Sequence, residues 1–69
     1  MLDSKMKELI AIGASVACNC PCVKYHTGKS KELNIEPELV KQAVDAGKMV
    51  RKGAARQMDE LLENMSKEW

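Results

Sequence analysis

The sequence predicts an all-α fold, and two observations support this prediction. The apolar residues are mostly Ala, Leu, Ile, Val and Met, and the chain has no Phe, one Tyr and one Trp. Such a composition favours helices over strands. The apolar residues also recur at steps of three and four, and nowhere do they alternate as they would in a strand. We therefore expect a small bundle of about three helices, with residues 1–69 forming a single domain.

The first helix is predicted from Ser4 to about Ala17. Its apolar and small positions lie three or four residues apart: Met6, Leu9, Ile10, Gly13, Val16 and Ala17. Ser4 is expected to cap this helix, because its hydroxyl can accept a hydrogen bond from a free backbone N–H of the first turn.

A second helix is predicted from about Pro21 to Leu33. Asn19 is a suitable cap for it, and Pro21 suits a first helical position because its missing N–H is not needed there. Gly28 weakens this helix but does not forbid it.

A third helix is predicted to begin at Pro37, where Glu36 and Glu38 suit the positive end of the helix dipole. Its apolar and small residues form one long stripe: Val40, Ala43, Val44, Gly47, Val50, Ala54, Met58, Leu61, Leu62 and Met65. A break near Gly53, giving two helices, is the alternative. Because so short a chain builds only a small core, we expect part of the stripe to be buried between subunits of a homo-oligomer.

Charge and hydropathy argue against two classes of partner. The net charge is +1, from 11 basic and 10 acidic residues, which gives little electrostatic attraction to nucleic acid or to an anionic membrane. No apolar run approaches the roughly 20 residues that cross a bilayer, and the N-terminus lacks the layout of a signal peptide. We expect a cytoplasmic protein that binds neither nucleic acid nor membrane.

The stretch CNCPCVKYH holds all three cysteines and the only histidine of the chain. Cytosolic thiols are kept reduced, so clustered cysteines there are more often catalytic or metal-binding than structural. Three interpretations are considered, and the simplest is that the thiols are buried and inert. A metal site, for zinc or Cu(I), would use four ligands: Cys18, Cys20, Cys22 and His26. The spacing argues against zinc, because zinc sites usually space paired cysteines more widely and draw ligands from two segments.

A redox centre is the third interpretation, and it needs two thiols close enough to bridge, one of them readily ionised. Cys22 is expected in the first turn of the second helix, where free N–H groups and the helix dipole stabilise a thiolate. Cys20 can be its partner sulfur. His26 lies one turn after Cys22 on the same helix face, so it can take up or return the thiol proton.

A longer pattern surrounds the cysteines. Glu8 is followed by eleven residues and Cys20, and Cys22 is followed by three residues and His26. With the segment ELIAIGASVACNCPCVKYHTGKSKELNIEPELVKQAVDAGKMVRKGAA, this pattern resembles the carboxymuconolactone decarboxylase and alkylhydroperoxidase D-like superfamily. The redox branch of that superfamily carries a glutamate, eleven residues, Cys-x-x-Cys, three residues and a histidine. The pair is one residue shorter here, and Cys18 is an additional thiol, so Cys20 and Cys18 are both candidates for the partner of Cys22.

The resemblance implies a helical homo-oligomer with a disulfide at the cysteine pair. It also implies thiol-dependent reduction of a peroxide or a disulfide, with no cofactor. The leading hypothesis is an antioxidant oxidoreductase acting on small-molecule or protein thiols, disulfides or peroxides. Its site residues are Cys22 as the ionised thiol, Cys20 as its partner, Cys18 as a third or resolving thiol, His26 as the proton shuttle and Glu8 as the residue that orients it. The main alternative is the metal-binding module, and the third is a structural subunit with inert thiols.

Overall fold

Three helices, joined by two short turns, make up the structure. A computed structural model describes residues 2–69 and contains α1 (Ser4–Ala17), α2 (Val23–Glu32) and α3 (Pro37–Ser66), in that order along the chain. Within those residues no strand is present. The predicted all-α class with three helices is confirmed, and α1 has the predicted bounds.

The cap of α1 differs from the prediction by one residue. The Asp3 carboxylate accepts a hydrogen bond from the Met6 backbone N–H at 2.8 Å, which satisfies one of the donors that the first turn leaves free. Ser4, the predicted cap, is instead the first residue of the helix. Asp and Ser are both favourable caps, so the sequence pattern alone did not separate these neighbours.

The second helix, α2, is shorter than predicted. It begins at Val23, two residues late, and ends at Glu32, one residue early. The Val23 N–H bonds to the Cys20 carbonyl at 3.3 Å, so the residues just before α2 form a turn. Cys22 is therefore the cap residue of α2, not a residue of its first turn. The predicted cap, Asn19, instead has a φ of 56°, in the left-handed region, and turns the chain away from α1.

The third helix, α3, runs without a break for 30 residues. Pro37 lies in its first turn, as predicted, and Glu36 before it is extended. The alternative of a break near Gly53 is wrong, because Gly53 keeps a helical conformation. One glycine in a helix interior costs only about 1 kcal/mol relative to alanine. The long helix makes the molecule 52 Å long but only 22 Å across.

Helices α1 and α3 pack closely where Gly13 faces Gly47. Gly47 is buried, and a Cβ atom added to it would overlap the Gly13 carbonyl oxygen and lie 2.8 Å from the Val16 Cβ. Only a residue without a side chain permits this approach. The apolar core beside the contact is small, since Ile12 is fully buried and Ile35 is 7% exposed.

The second half of α3 lies outside this core. Its large apolar side chains are each 42–54% exposed: Met58, Leu61, Leu62 and Met65. Neither α3 nor any other helix in the described part of the chain is long and apolar enough to cross a membrane.

Candidate functional site

Cys20 and Cys22 form a close pair in the turn between α1 and α2. Their sulfur atoms are in bonding contact, and their Cα atoms lie 5.2 Å apart. The Cys22 backbone N–H also donates a hydrogen bond to the Cys20 sulfur at 3.3 Å. Pro21, which was predicted at the first helical position, lies between them in the turn. Because the Cys20 N–H donates to the Ser15 carbonyl at 2.8 Å, the last turn of α1 positions the pair.

The two paired cysteines differ in their access to solvent. Cys22 is exposed at the N-terminal end of α2, whereas Cys20 is half-buried. The Val23 and Lys24 N–H groups bond to carbonyls of the turn, at Cys20 and Pro21, so the helix dipole is what makes this end of α2 positive and favours a negative charge nearby. Of the two paired sulfurs, that of Cys22 therefore belongs to the more exposed residue, which lies at the start of α2.

Cys18 stands apart from the pair. It is the C-cap residue of α1, it is exposed, and it is not bonded to another sulfur. It lines an apolar groove between α1 and α3, whereas Cys20 lines a different cleft. Of the two candidates for the partner of Cys22, the structure therefore favours Cys20.

The cysteines and the histidine do not assemble as metal ligands. Among residues 2–69, no three His, Cys, Asp or Glu side chains converge closely enough to hold a metal ion. The sulfurs of Cys20 and Cys22 contact each other, while the His26 ring contacts a carboxylate on α1. The four-ligand alternative therefore lacks the convergent geometry that a metal site requires.

His26 and Glu8 form a hydrogen bond between α2 and α1. Glu8 Oε2 lies 2.5 Å from His26 Nδ1, and the two side chains are 13% and 25% exposed, respectively. The pair lies in a shallow depression between the two helices, with Lys7 and Lys29 at its wall. This contact fixes the orientation of the imidazole ring, as carboxylates do for histidines in many active sites.

One helical turn separates the cysteine pair from this hydrogen bond. The His26 backbone N–H donates to the Cys22 carbonyl at 3.1 Å, which is the ordinary helical spacing. In the part of the chain that the structure describes, no hydrogen bond joins the His26 ring to a sulfur. Glu8 contacts Nδ1, and the other ring nitrogen, Nε2, has no hydrogen-bond partner among residues 2–69.

Arg51 is a residue near the site that sequence reasoning missed. Its Nη1 donates hydrogen bonds to the Asn19 side-chain oxygen at 3.0 Å and to the Val16 carbonyl at 3.5 Å. It thereby ties α3 to the end of α1 and to the turn that carries the cysteines. No local spacing signals this contact, because Arg51 lies 32 residues from Asn19 along the chain.

The chain was compared with models of known protein families. The chain matches the model of the Carboxymuconolactone decarboxylase family over residues 1–63. It is a member of that family. No curated protein and no solved structure matches the chain. The resemblance inferred from the glutamate, cysteine and histidine spacing is thus confirmed at the level of the family.

The carboxymuconolactone decarboxylase family includes enzymes, both decarboxylases and peroxidase-like proteins. In this member of the family, the structure brings Cys20 together with Cys22 and Glu8 together with His26. It leaves Cys18 outside both contacts. The catalytic roles of all five residues remain predictions.

Proposed function

We propose that this chain is a thiol-dependent oxidoreductase that cycles Cys20 and Cys22 between a dithiol and a disulfide. One observation carries the proposal: the pair lies in contact at the N-terminal end of α2, one turn before a histidine that a carboxylate holds. Two adjacent thiols, a positive helix end and a proton carrier are the parts that thiol–disulfide exchange requires.

In the proposed cycle, the Cys22 thiolate attacks one sulfur of a substrate disulfide. The substrate S–S bond breaks, a mixed disulfide forms on Cys22, and the first substrate thiolate leaves and takes up a proton. The Cys20 thiolate then attacks the Cys22 sulfur, which releases the second substrate thiol and closes the Cys20–Cys22 disulfide. Two electrons and two protons pass from the pair to the substrate, and a small-molecule or protein dithiol returns them.

The same pair would reduce a hydroperoxide by a related route. The Cys22 thiolate attacks a peroxide oxygen, the O–O bond breaks, and a sulfenic acid forms on Cys22 while the leaving alkoxide takes up a proton. The Cys20 thiol then condenses with the sulfenic acid, which releases water and closes the same disulfide. Both routes end with an oxidised pair, so one recycling reductant serves either substrate.

His26 is the proposed proton carrier, and Glu8 is the proposed positioning residue. The imidazole takes the proton of the attacking thiol and returns it to the leaving thiolate or alkoxide. Its hydrogen bond to Glu8 occupies Nδ1, leaves Nε2 for the transfer and stabilises the imidazolium that forms during it. Neither step needs a cofactor, since the protein supplies both sulfur atoms and the proton carrier.

We further propose that the three helices work as one alkylhydroperoxidase D-like domain within a homo-oligomer in the cytoplasm. The exposed apolar side chains on the second half of α3 support assembly. A reducing compartment supports turnover, because the pair must be returned to the dithiol after each cycle.

Thiol counting tests the proposed cycle. In a Cys18→Ser background, the reduced protein should release two thiols per chain from an excess of a small disulfide and then contain an intrachain Cys20–Cys22 bond by mass spectrometry. A further Cys20→Ser change should stop the reaction at a mixed disulfide on Cys22, with one thiol released. Bonds found only between separate chains would contradict the proposal.

A further inference from the structure

A cleft beside the cysteine pair brings positive charge from α3 close to the turn that carries Cys20 and Cys22. Its wall combines residues from the turn, from α2 and from α3: Cys20, Pro21, Val23, Val44, Lys48 and Arg51. The valines make one part of the wall apolar, and the two cationic residues make another part positive. The half-buried cysteine of the pair thus lines the same cleft as two cationic side chains, of which Arg51 is anchored by hydrogen bonds.

The arginine of this cleft is held in place, and it keeps donors for a ligand. Its Nη1 is anchored by the Asn19 side chain and the Val16 carbonyl. An arginine side chain has five N–H donors, so this anchoring leaves several of them for an anion. Lys48 lies one turn earlier on α3 and is exposed. Within residues 2–69, neither Lys48 nor Arg51 forms an ion pair.

The acidic residues nearest to this cationic wall lie outside the cleft. Asp45, one turn before Lys48, is exposed and lines a neighbouring depression with Lys48 and Arg51, where Lys52 adds a further positive charge, but it does not line the cleft that contains Cys20. On α2, Lys29 pairs with Glu32 at 3.5 Å and lines the depression around His26 instead. The positive charge that lines the cleft together with Cys20 therefore comes from α3.

We propose that this cleft binds an anionic group of the substrate, so that the preferred substrate is a disulfide that carries a carboxylate or similar anion next to an apolar body. The inference rests on the proposed function, and it names the substrate class of that same site. The apolar body lies along Val23 and Val44, while the anion contacts Lys48 and Arg51. Recognition adds no covalent step, since the two-electron exchange at the cysteine pair is the one already described.

Two small disulfides of opposite character test this inference. A bis(nitrobenzoate) disulfide carries two carboxylates, whereas a dipyridyl disulfide is neutral at mildly alkaline pH. Both release coloured thiols, so the rate constant for the reduced pair can be followed by absorbance in a Cys18→Ser background. The ratio of the anionic to the neutral rate constant is the quantity to measure, because damage to the fold or to the thiols lowers both rates together.

Lys48→Gln should lower this ratio roughly 3- to 10-fold, and rising salt should lower it in the parent protein, as expected for electrostatic attraction of a charged substrate. Arg51→Lys keeps the charge and should retain most of the ratio, which separates charge recognition from the anchoring of the turn. Arg56→Gln removes the same charge from α3 outside the cleft, so it should change the ratio less than twofold.

The outcomes separate the two proposals. If the neutral probe oxidises the pair but Lys48→Gln leaves the ratio unchanged, or Arg56→Gln lowers it equally, the anionic cleft is refuted while the redox cycle stands. If neither probe yields the intrachain Cys20–Cys22 bond, the redox function itself fails.

Discussion

Replacing Glu8 should slow the cysteine cycle and destabilise the fold, and both effects can be sized from its hydrogen bond to His26. The two atoms lie 2.5 Å apart, and both side chains are mostly shielded from water. A hydrogen bond to a charged group contributes about 1.5–3 kcal/mol to stability, against about 0.5–1.5 kcal/mol for a neutral one. Glu8→Gln keeps an acceptor in place, so it should cost about 1 kcal/mol. If the same energy is lost from the transition state of disulfide exchange, the rate constant of that exchange should fall roughly fivefold.

Larger changes at the same pair should have larger effects. Glu8→Ala removes the bond entirely and should lower the free energy of unfolding by about 1.5–3 kcal/mol, measured by urea denaturation. His26→Ala removes the proton carrier and should slow disulfide exchange at neutral pH by roughly a hundred- to ten-thousand-fold. Glu32→Gln is the matched control: its carboxylate belongs to an exposed pair with Lys29 and should contribute less than about 1 kcal/mol.

A double-mutant cycle decides whether Glu8 acts through His26. The assay is the rate of thiol release from a neutral disulfide, measured for each single variant and for the double variant in reduced, folded protein. If Glu8 only positions the imidazole, Glu8→Ala should have almost no further effect once His26 is alanine. Additive losses in the double variant would refute this reasoning, and so would a His26→Ala protein that reacts at the parent rate.

Two further predictions concern packing and assembly. Gly47→Ala should lower the free energy of unfolding by about 1–3 kcal/mol because the new Cβ meets the Gly13 backbone. Gly53→Ala, with no heavy atom within 4 Å of its Cβ, should instead raise it by about 0.5–1 kcal/mol, and an equal loss in both variants would contradict the packing argument. If the chain self-associates through the second half of α3, replacing Leu61 and Leu62 together by Asp should give a monomer in light scattering and lower the melting temperature. A native protein that is monomeric in reductant would overturn the assembly prediction.

The helices were predictable because helical periodicity is a local property. The apolar spacing located α1 and α3 closely, and Pro37 marked the start of α3 as a proline in a first turn does. The start of α2 was harder to predict, because Asn19 and Pro21 are also favourable in turns. The structure uses both residues there, and the left-handed conformation of Asn19 delays the helix until Val23.

In the candidate site, spacing within one helix was predictable from the sequence, whereas contacts between helices were not. The spacing of Cys22 and His26 fixed their separation of one turn, since both lie at or near the start of α2. The contact of His26 with Glu8 depends on how α1 packs against α2, and the sequence suggested it only through the family pattern. Arg51 approaches the site from α3, and nothing near it in the sequence indicates that it does.

The apolar stripe on α3 is longer than the helix that packs against it, so the stripe in the sequence does not by itself show which surface buries its second half. With 14 residues α1 is about 21 Å long, whereas α3, with 30 residues, is about 45 Å long. Helix α1 can therefore cover no more than about half of the stripe, and the half that includes Gly47 is the one it covers.

Fully burying a leucine or methionine contributes about 1.5–3 kcal/mol. Completing the burial of the half-exposed Leu61, Leu62 and Met65 would contribute several kcal/mol, against a total stability of about 5–15 kcal/mol for a domain. A second copy of the same helix offers a surface of matching length and character, which is the physical reason to expect self-association through this half of α3.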